Sequence, residues 1–308
     1  MSIIILSYNT KDLLKQCLMS IVDSLQLTAD GSRLATEIIV VDNASVDGSV
    51  QEVKNLKFDI ENSLPCKGLK IKNLKLKIIE NDQNYGFAKG NNQGLKEAKG
   101  AYVMLLNSDT IVKEDSLVKL VNFLNDHQEI DVVGPKLLNN DGTPQANCGR
   151  FPSLWVSFVM LFKEHFGGSD IVRRSPKESK VVDWLMGAAF VARKKVFNAI
   201  GGLDENIFMY MEEIEWFYRV RKAGFKTYFF KDSEIIHLGR GSSKSGKREP
   251  ILNIYKGLIY FYKKHKTFPE LLILKTLLKL KAAVSIFIGY VKNDLYLKET
   301  YGEAIKIN

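Results

Sequence analysis

Four short apolar runs punctuate the first third of the chain. Ile3-Ile4-Ile5-Leu6, Glu37-Ile38-Ile39-Val40-Val41, Leu76-Lys77-Ile78-Ile79-Glu80 and Tyr102-Val103-Met104-Leu105-Leu106 are each too short for a helix. Most are continuous rather than alternating, which predicts strands buried on both faces. Between them apolar residues recur at helical spacing. Leu13, Leu14, Cys17, Leu18, Ile21 and Val22 predict one helix, residues 91–98 a second and residues 116–125 a third. Val132-Val133-Gly134 reads as a further strand. Strands alternating with helices predict an α/β fold on a doubly wound, mostly parallel sheet.

Three of these runs end in polar residues: Ser7-Tyr8-Asn9, Asp42-Asn43 and Asn107-Ser108-Asp109. Such residues end strands and cap helices in any protein. In an open α/β sheet, however, ligands bind beyond the carboxyl ends of the strands. The three clusters are therefore expected to line one crevice.

The pattern is less regular afterwards. Residues 149–180 hold Trp155, Phe158, Phe162 and Phe166 among polar positions, consistent with a short helix or a mobile loop. Residues 181–193 read as strand, 201–204 as a turn, 212–223 as an amphipathic helix, and 227–230 and 234–237 as two strands. Residues 239–248 are rich in Gly, Ser and Lys and read as a flexible loop. Beyond them the chain reads as helical, with Leu271, Leu274, Leu277, Leu278 and Leu280 on one side and Lys275, Lys279 and Lys281 among the polar positions.

Composition narrows the classes. With 308 residues, 45% hydrophobic and 26% charged, the chain is globular rather than disordered or collagenous. Cys17, Cys66 and Cys148 form neither a disulfide framework nor a zinc pattern, so a reducing compartment, the cytoplasm, is expected. No basic n-region and long h-region mark a secretory signal, and the longest apolar stretch, residues 282–291, is too short to span a bilayer. The net charge is +9, and residues 251–308 carry ten Lys against four acids. Three readings of those basic helices stay open: contact with the cytoplasmic face of an anionic membrane, packing with a solvated Lys face, or pairing into a homo-oligomer. A nucleic-acid partner is not expected, because no helix-turn-helix, RNA-recognition or zinc signature accompanies the charge.

Several segments carry candidate chemistry. Asp109, at a strand end, suits a hard divalent cation such as Mg²⁺ or Mn²⁺. Residues 84–94 place three Gly and Lys89 before a helix expected to be capped by Asn91, an arrangement suited to a diphosphate, although not a P-loop. Glu212, Glu213 and Glu215 follow an apolar segment, Phe208 to Met211, a setting that raises a carboxyl toward general-base use. By helical spacing Glu212 and Glu215 share a face while Glu213 points elsewhere, and Arg219 is placed to pair with one of the three. His237 ends a strand before the Gly/Ser/Lys loop, where it can complete a metal site with Asp109 while the loop closes over it.

In order and approximate spacing, these segments resemble family 2 glycosyltransferases: Ile5 to Asn9, Val40 to Gly48, Asn84 to Gly94, Leu105 to Asp109, Gly201 to Glu205, Glu212-Glu213 and His237. The resemblance runs through about residue 245 and is greatest to the rhamnosyltransferase-type branch. It implies a GT-A fold over residues 1–245, with a nucleotide-binding half (1–135) and an acceptor and catalytic half (136–245). Residues 246–308 would form a basic helical extension. It further implies inverting transfer from a nucleoside diphosphate sugar, dTDP-rhamnose first, to a glycan or polyprenyl-linked glycan in cell-surface polysaccharide synthesis.

Residue by residue, the resemblance puts Asp42 on the base and Ser7, Tyr8 and Asn9 around the nucleoside. Asn84, Gly86 and Lys89 would follow the ribose and diphosphate, and Asn107 would also contact the substrate. Asp109 and His237 would be metal ligands, Glu213 the base and Glu212 its neighbour, while Trp184 and Gly187 would border sugar and acceptor. Two positions depart from the family's pattern. Glu213 stands where Asp is common, and Asn107 replaces the first metal-motif acid. Residues 58–75 look like an insertion. Competing readings are a non-catalytic sugar-nucleotide-binding module and a nucleotidyltransferase, the latter disfavoured because no triphosphate loop is present.

Overall fold

The computed structural model describes residues 1–25, 34–61, 74–166, 172–239 and 248–307. The apolar runs form the inner strands. β1 (Ser2–Ser7) lies between β2 (Thr36–Asp42) and β4 (Tyr102–Asn107), parallel to both, and β3 (Leu74–Glu80) continues the sheet beside β2. Ile3, Ile4 and Ile5 are all buried, because helices cover both faces. These are α1 (Lys11–Ser24), α2 (Ser49–Glu61) and α3 (Gly86–Glu97). The strand order β3-β2-β1-β4 reverses direction at β1. That reversal opens a crevice at the strands' carboxyl ends, where the three polar clusters lie.

The second half of the chain extends this sheet. It comprises β5 (Thr110–Val112), α4 (Ser116–Asp126), β6 (Val132–Leu138), β7 (Pro144–Gln145), β8 (Cys148–Gly149) and α5 (Leu154–Phe166). Then follow β9 (Arg173–Arg174), β10 (Lys180–Val181), β11 (Trp184–Leu185), β12 (Ala189–Arg193), α6 (Lys194–Ile200), α7 (Glu212–Lys222) and β13 (Thr227–His237). β12 inserts antiparallel between β4 and β6, and β13 runs parallel to β6. The result is one mixed sheet ordered β10-β13-β6-β12-β4-β1-β2-β3, with β5 on β13 and β7 on β6. β11, β8 and β9 form a small antiparallel sheet.

The chain closes with α8 (Arg248–His265), α9 (Phe268–Val291) and α10 (Leu295–Ala304). Their core includes Leu258, Phe261, Leu274, Leu278 and Ala282, together with Leu161 and Phe162 of α5 and Met211. A buried ionic cluster adds to this attachment. Glu215 of α7 accepts from Arg219, from Lys264 at 2.8 Å and from His265 at 3.0 Å. Lys264 also pairs with Asp204 at 2.5 Å.

Three expectations change, and one open alternative resolves to a helix. α3 begins at Gly86, so Asn91 lies inside the helix, its amide donating to Phe87 O, instead of capping it. The aromatic-rich middle holds a 13-residue helix, α5. Residues 181–193 break into parts of three strands, because Trp184–Leu185 turn away to pair with β8. The two strands expected at 227–237 are one, with a register shift between Phe230 and Glu234. Of the expected insertion, residues 58–61 close α2 and residues 74–75 open β3, while 62–73 lie outside the described residues. Residues 240–247, most of the Gly/Ser/Lys loop, also lie outside them, as does Cys66.

Candidate active site

The strand ends build one continuous cleft in two parts. A cavity of about 430 Å³ lies over β1 and β4, lined among others by Tyr8, Asn9, Asn43, Asn84, Gly86 and Asp109. A second, of about 540 Å³, is lined by Arg173, Gly187, Glu212, Glu213 and His237. Phe87, Asn107, Asp109, Met209 and Tyr210 belong to both.

Short polar side chains fix the first part. Asn9 and Ala44 both adopt left-handed backbone, which folds the two loops toward each other. Asn9 N donates to Ser45 Oγ at 2.8 Å, and Val46 N donates to Asn9 Oδ1 at 2.8 Å. Asn43 links the next wall: its amide donates to Asn84 Oδ1 at 3.1 Å and Gly86 O at 3.2 Å. Gly86 has φ +81°, and a Cβ there would sit 2.6 Å from Phe208 O. Only glycine lets this turn approach the Phe208 segment so closely.

The structure sorts the residues expected here into two groups. Tyr8, Asn9, Asn84, Gly86, Asn107 and Gly187 line the cleft. Ser7 and Asp42 stand behind its wall. Ser7 Oγ bonds Thr10, and both Asp42 oxygens accept from Ser45, at 2.8 and 2.6 Å. Trp184 is buried, its indole N–H donating to Arg150 O, with Arg173 above its ring at 5.9 Å. Lys89 also departs from expectation. With α3 starting at Gly86 it sits in the helix's first turn, its ammonium 3.8 Å from the centre of the Tyr85 ring, and it is not among the lining residues.

Asp109 and His237, the two residues expected at a metal, come together. β5 pairs with β13 so that His237 lies opposite Thr110, and Leu238 N donates to Asp109 O. His237 Nε2 is 3.3 Å from Asp109 Oδ1 and 3.4 Å from Asn107 Nδ2. Gln145 Nε2 donates to Asn139 Oδ1 and His237 O, which turns Gln145 Oε1 toward His237 Nδ1 at 2.7 Å. The Gln145 oxygen accepts from an N–H at Nδ1, so Nε2 is the ring nitrogen placed beside the Asp109 carboxylate. Two ligands facing one point suit a cation that completes its shell with phosphate oxygens and water. No cluster of three or more His, Cys, Asp and Glu forms a closed metal site among the described residues.

Opposite stand the two carboxyls. Tyr210 (φ 66°) and Met211 (φ 75°) are both left-handed, an uncommon strain that turns the chain into α7 at Glu212. Glu212 and Glu213 both face the cleft, whereas Glu215 turns to α8. The expected sharing of a face by Glu212 and Glu215 therefore fails. The cleft lies off the end of the helix rather than along its side, so its first two residues both reach it. Arg219 takes Glu215 as its partner.

Oε2 of Glu212 and of Glu213 is buried without a hydrogen-bond partner among the described residues. Burial raises both carboxyls above the ordinary glutamate value, and repulsion from Glu213 raises Glu212 further. Arg173 and backbone N–H groups, Gly187's among them, partly offset the effect at Glu213. The environment thus separates two neighbouring acids, with Glu213 the more readily ionised.

Arg173, Tyr210, Asn43 and Gln145 also belong to the site, and of these Arg173 and Gln145 carry no sequence signal of their own. Glu249 and Asn253, from the first turns of α8, also line the cleft over β1. The signal for Asn43 was its place at a strand end. Arg173 arrives only through the pairing of β9 with β8.

The chain is similar to several known proteins. The chain is 27% identical over 168 residues to a low-salt glycan biosynthesis hexosyltransferase of Haloferax volcanii, covering 52% of this chain and 50% of that protein. It is 25% identical over 171 residues to the rhamnosyltransferase WbbL of Escherichia coli (52% and 64%). To the N-acetylglucosaminyl-diphospho-decaprenol L-rhamnosyltransferase of Mycobacterium tuberculosis it is 24% identical over 142 residues (44% and 46%). The matches thus span about half to two-thirds of these relatives' lengths. A mannosyltransferase from Pyrobaculum calidifontis, solved with GDP-Man and Mn²⁺, superposes with a TM-score of 0.57 at 17% identity, covering 98% of this chain and 78% of that one. That likeness establishes the expected GT-A architecture. The model for glycosyl transferase family 2 matches residues 2–198, and the chain belongs to that family.

Proposed function

We propose that the protein transfers a sugar, with inversion, from a nucleoside diphosphate donor to a hydroxyl of a glycan or polyprenyl-linked glycan during polysaccharide synthesis. The observation that carries this reading is the cleft itself. It joins a strand-end pocket sized for a nucleotide to a buried carboxyl pair, with Asp109 at the junction. Rhamnose on dTDP is the first donor to try, because two relatives are named as rhamnosyltransferases.

Tyr8, Asn9, Asn43 and Asn84 would hold the nucleoside and ribose by short hydrogen bonds. Asp109 and His237 would hold a divalent cation, which supplies charge stabilisation to the leaving diphosphate. The imidazole in that pair favours Mn²⁺ over Mg²⁺. Glu213 removes the acceptor hydroxyl's proton while its oxygen attacks the anomeric carbon, and the bond to the diphosphate oxygen breaks on the opposite face. The proton rests on Glu213 Oε and the electron pair leaves with the nucleoside diphosphate. A single displacement needs one base, so Glu212 can stay protonated and act as a donor toward the sugar. General-base assistance of this kind contributes roughly 10²- to 10⁴-fold.

The test combines binding with turnover. Thermal stability is measured with dTDP, UDP and GDP, each with and without Mn²⁺. A hundredfold excess over Kd should stabilise the fold by about 2.7 kcal/mol for the matching nucleotide. Asp109→Ala should abolish the Mn²⁺-dependent part. Glu213→Gln should keep the nucleotide shift and lose transfer. A Glu213→Gln variant that transfers normally excludes the assigned base, and no shift with any diphosphate excludes the donor site.

A further inference from the structure

α9 is apolar on both sides. Leu274, Leu278 and Ala282 face the core. On the other side Phe268, Leu272, Ile273, Leu280, Phe287, Tyr290 and Val291 are between 48% and 76% exposed. At about 100° per residue they fall on one face, a single stripe along the 24-residue helix, about 36 Å at 1.5 Å per residue. The three aromatics, at 76%, 68% and 71% exposure, present about 300–500 Å² by themselves. The largest apolar patch on an ordinary monomer is about 300–600 Å² in all. Lys279 is exposed on the same helix, Lys275 is half-buried one turn before it, and Lys292 is exposed just past the helix end.

The geometry points to α9 lying along an anionic lipid bilayer surface, its outer stripe in the headgroup and upper acyl region and Lys279 and Lys292 on lipid phosphates. Charge complementarity selects this occupant over a second copy of the chain. Lys279 sits at the middle of α9, so a two-fold pairing centred on the helix would place it against its own copy. A bilayer receives the same lysine favourably, since a long side chain carries its ammonium to the phosphates. Lying flat is also what the helix permits. No helix among the described residues is long and apolar enough to cross a membrane, and Lys275, Lys279 and Lys281 interrupt this one. Tyr290 and Phe287 near its end suit the boundary between headgroups and hydrocarbon. The inference stands independently of the sugar chemistry.

The experiment is sedimentation of the full chain with vesicles of phosphatidylcholine alone or mixed with phosphatidylglycerol, at low and high salt. Binding to the mixed vesicles is expected, weakened by salt. Leu272→Glu combined with Phe287→Glu should reduce it at least tenfold while circular dichroism shows an unchanged melt. If that pair melts early, Lys275→Gln with Lys279→Gln decides, with an expected loss of about tenfold or more at roughly 1 kcal/mol per lysine. Absent binding, or binding untouched by either pair, overturns the proposal. So does a concentration-dependent dimer that Leu272→Glu with Phe287→Glu dissociates, which would make the stripe a self-association surface.

Discussion

Two carboxyls one residue apart in a dry pocket cannot both ionise freely. Glu213 must be ionised to act as a base, and its value lies above the ordinary glutamate value near 4.3. The acidic limb of kcat/KM against pH should therefore fall above that value. Arg173 lowers Glu213, so Arg173→Gln should move the limb to higher pH. A limb that stays in place would remove Arg173 from the site's electrostatics. Most of the cleft's residues were legible because they end strands: Asn9, Asn107 and Asp109 follow buried apolar runs in any reading. Arg173 was not legible. Its neighbourhood to Glu213 depends on a two-residue strand pairing across Gly149, and no local pattern encodes that. Lys89 was read beside a diphosphate from a charge near three glycines, and its ammonium lies over the Tyr85 ring. Its direction depended on where α3 starts, a boundary that periodicity leaves loose.

At the scale of elements, α8 touches the site from behind. A Cβ on Gly257 would lie 2.8 Å from Met211 Cβ and 3.1 Å from Tyr210 O, at the strained entry to α7. Gly257→Ala gains about 1 kcal/mol of helix propensity and incurs about 1–3 kcal/mol of overpacking, so stability changes little. The displacement instead reaches Glu212 and Glu213, where misplacement by about 1 Å can lower a rate about 10²-fold. A fall in kcat of at least tenfold with the melting temperature shifted by only a few degrees is expected. An unchanged kcat would separate α8 from catalysis. The central strands were readable because continuous apolar runs have few alternatives. The apolar outer face of α9 was not, since a leucine stripe with lysines between reads as one buried and one wet side.

At the scale of the whole molecule, the C-terminal helices are held by charge as well as by packing. Burial alone would raise Glu215 and Asp204, but Lys264 and its neighbours hold both below their ordinary values. For depressed carboxyls the contribution to stability is complete above the unfolded value, about 4, and is lost as pH falls through the lower folded values. Thermal midpoints should accordingly drop on acidification below about pH 4, and the drop should shrink in Lys264→Gln. An equal drop in that variant would assign acid sensitivity elsewhere.

β12 is hydrogen-bonded to β4 on one side and to β6 on the other. One strand therefore stitches the wall over β1 and β4 to the half bearing the carboxyls. Clamshell closure around substrate is unavailable to such a body, because it would tear a sheet. The alignment of the β1–β4 pocket with the Glu212–Glu213 pair then becomes a static property of the fold, set once at folding. Solution scattering should give the same radius of gyration with and without a saturating nucleotide, and thermal adaptation of this scaffold can stiffen the seam without slowing a domain motion.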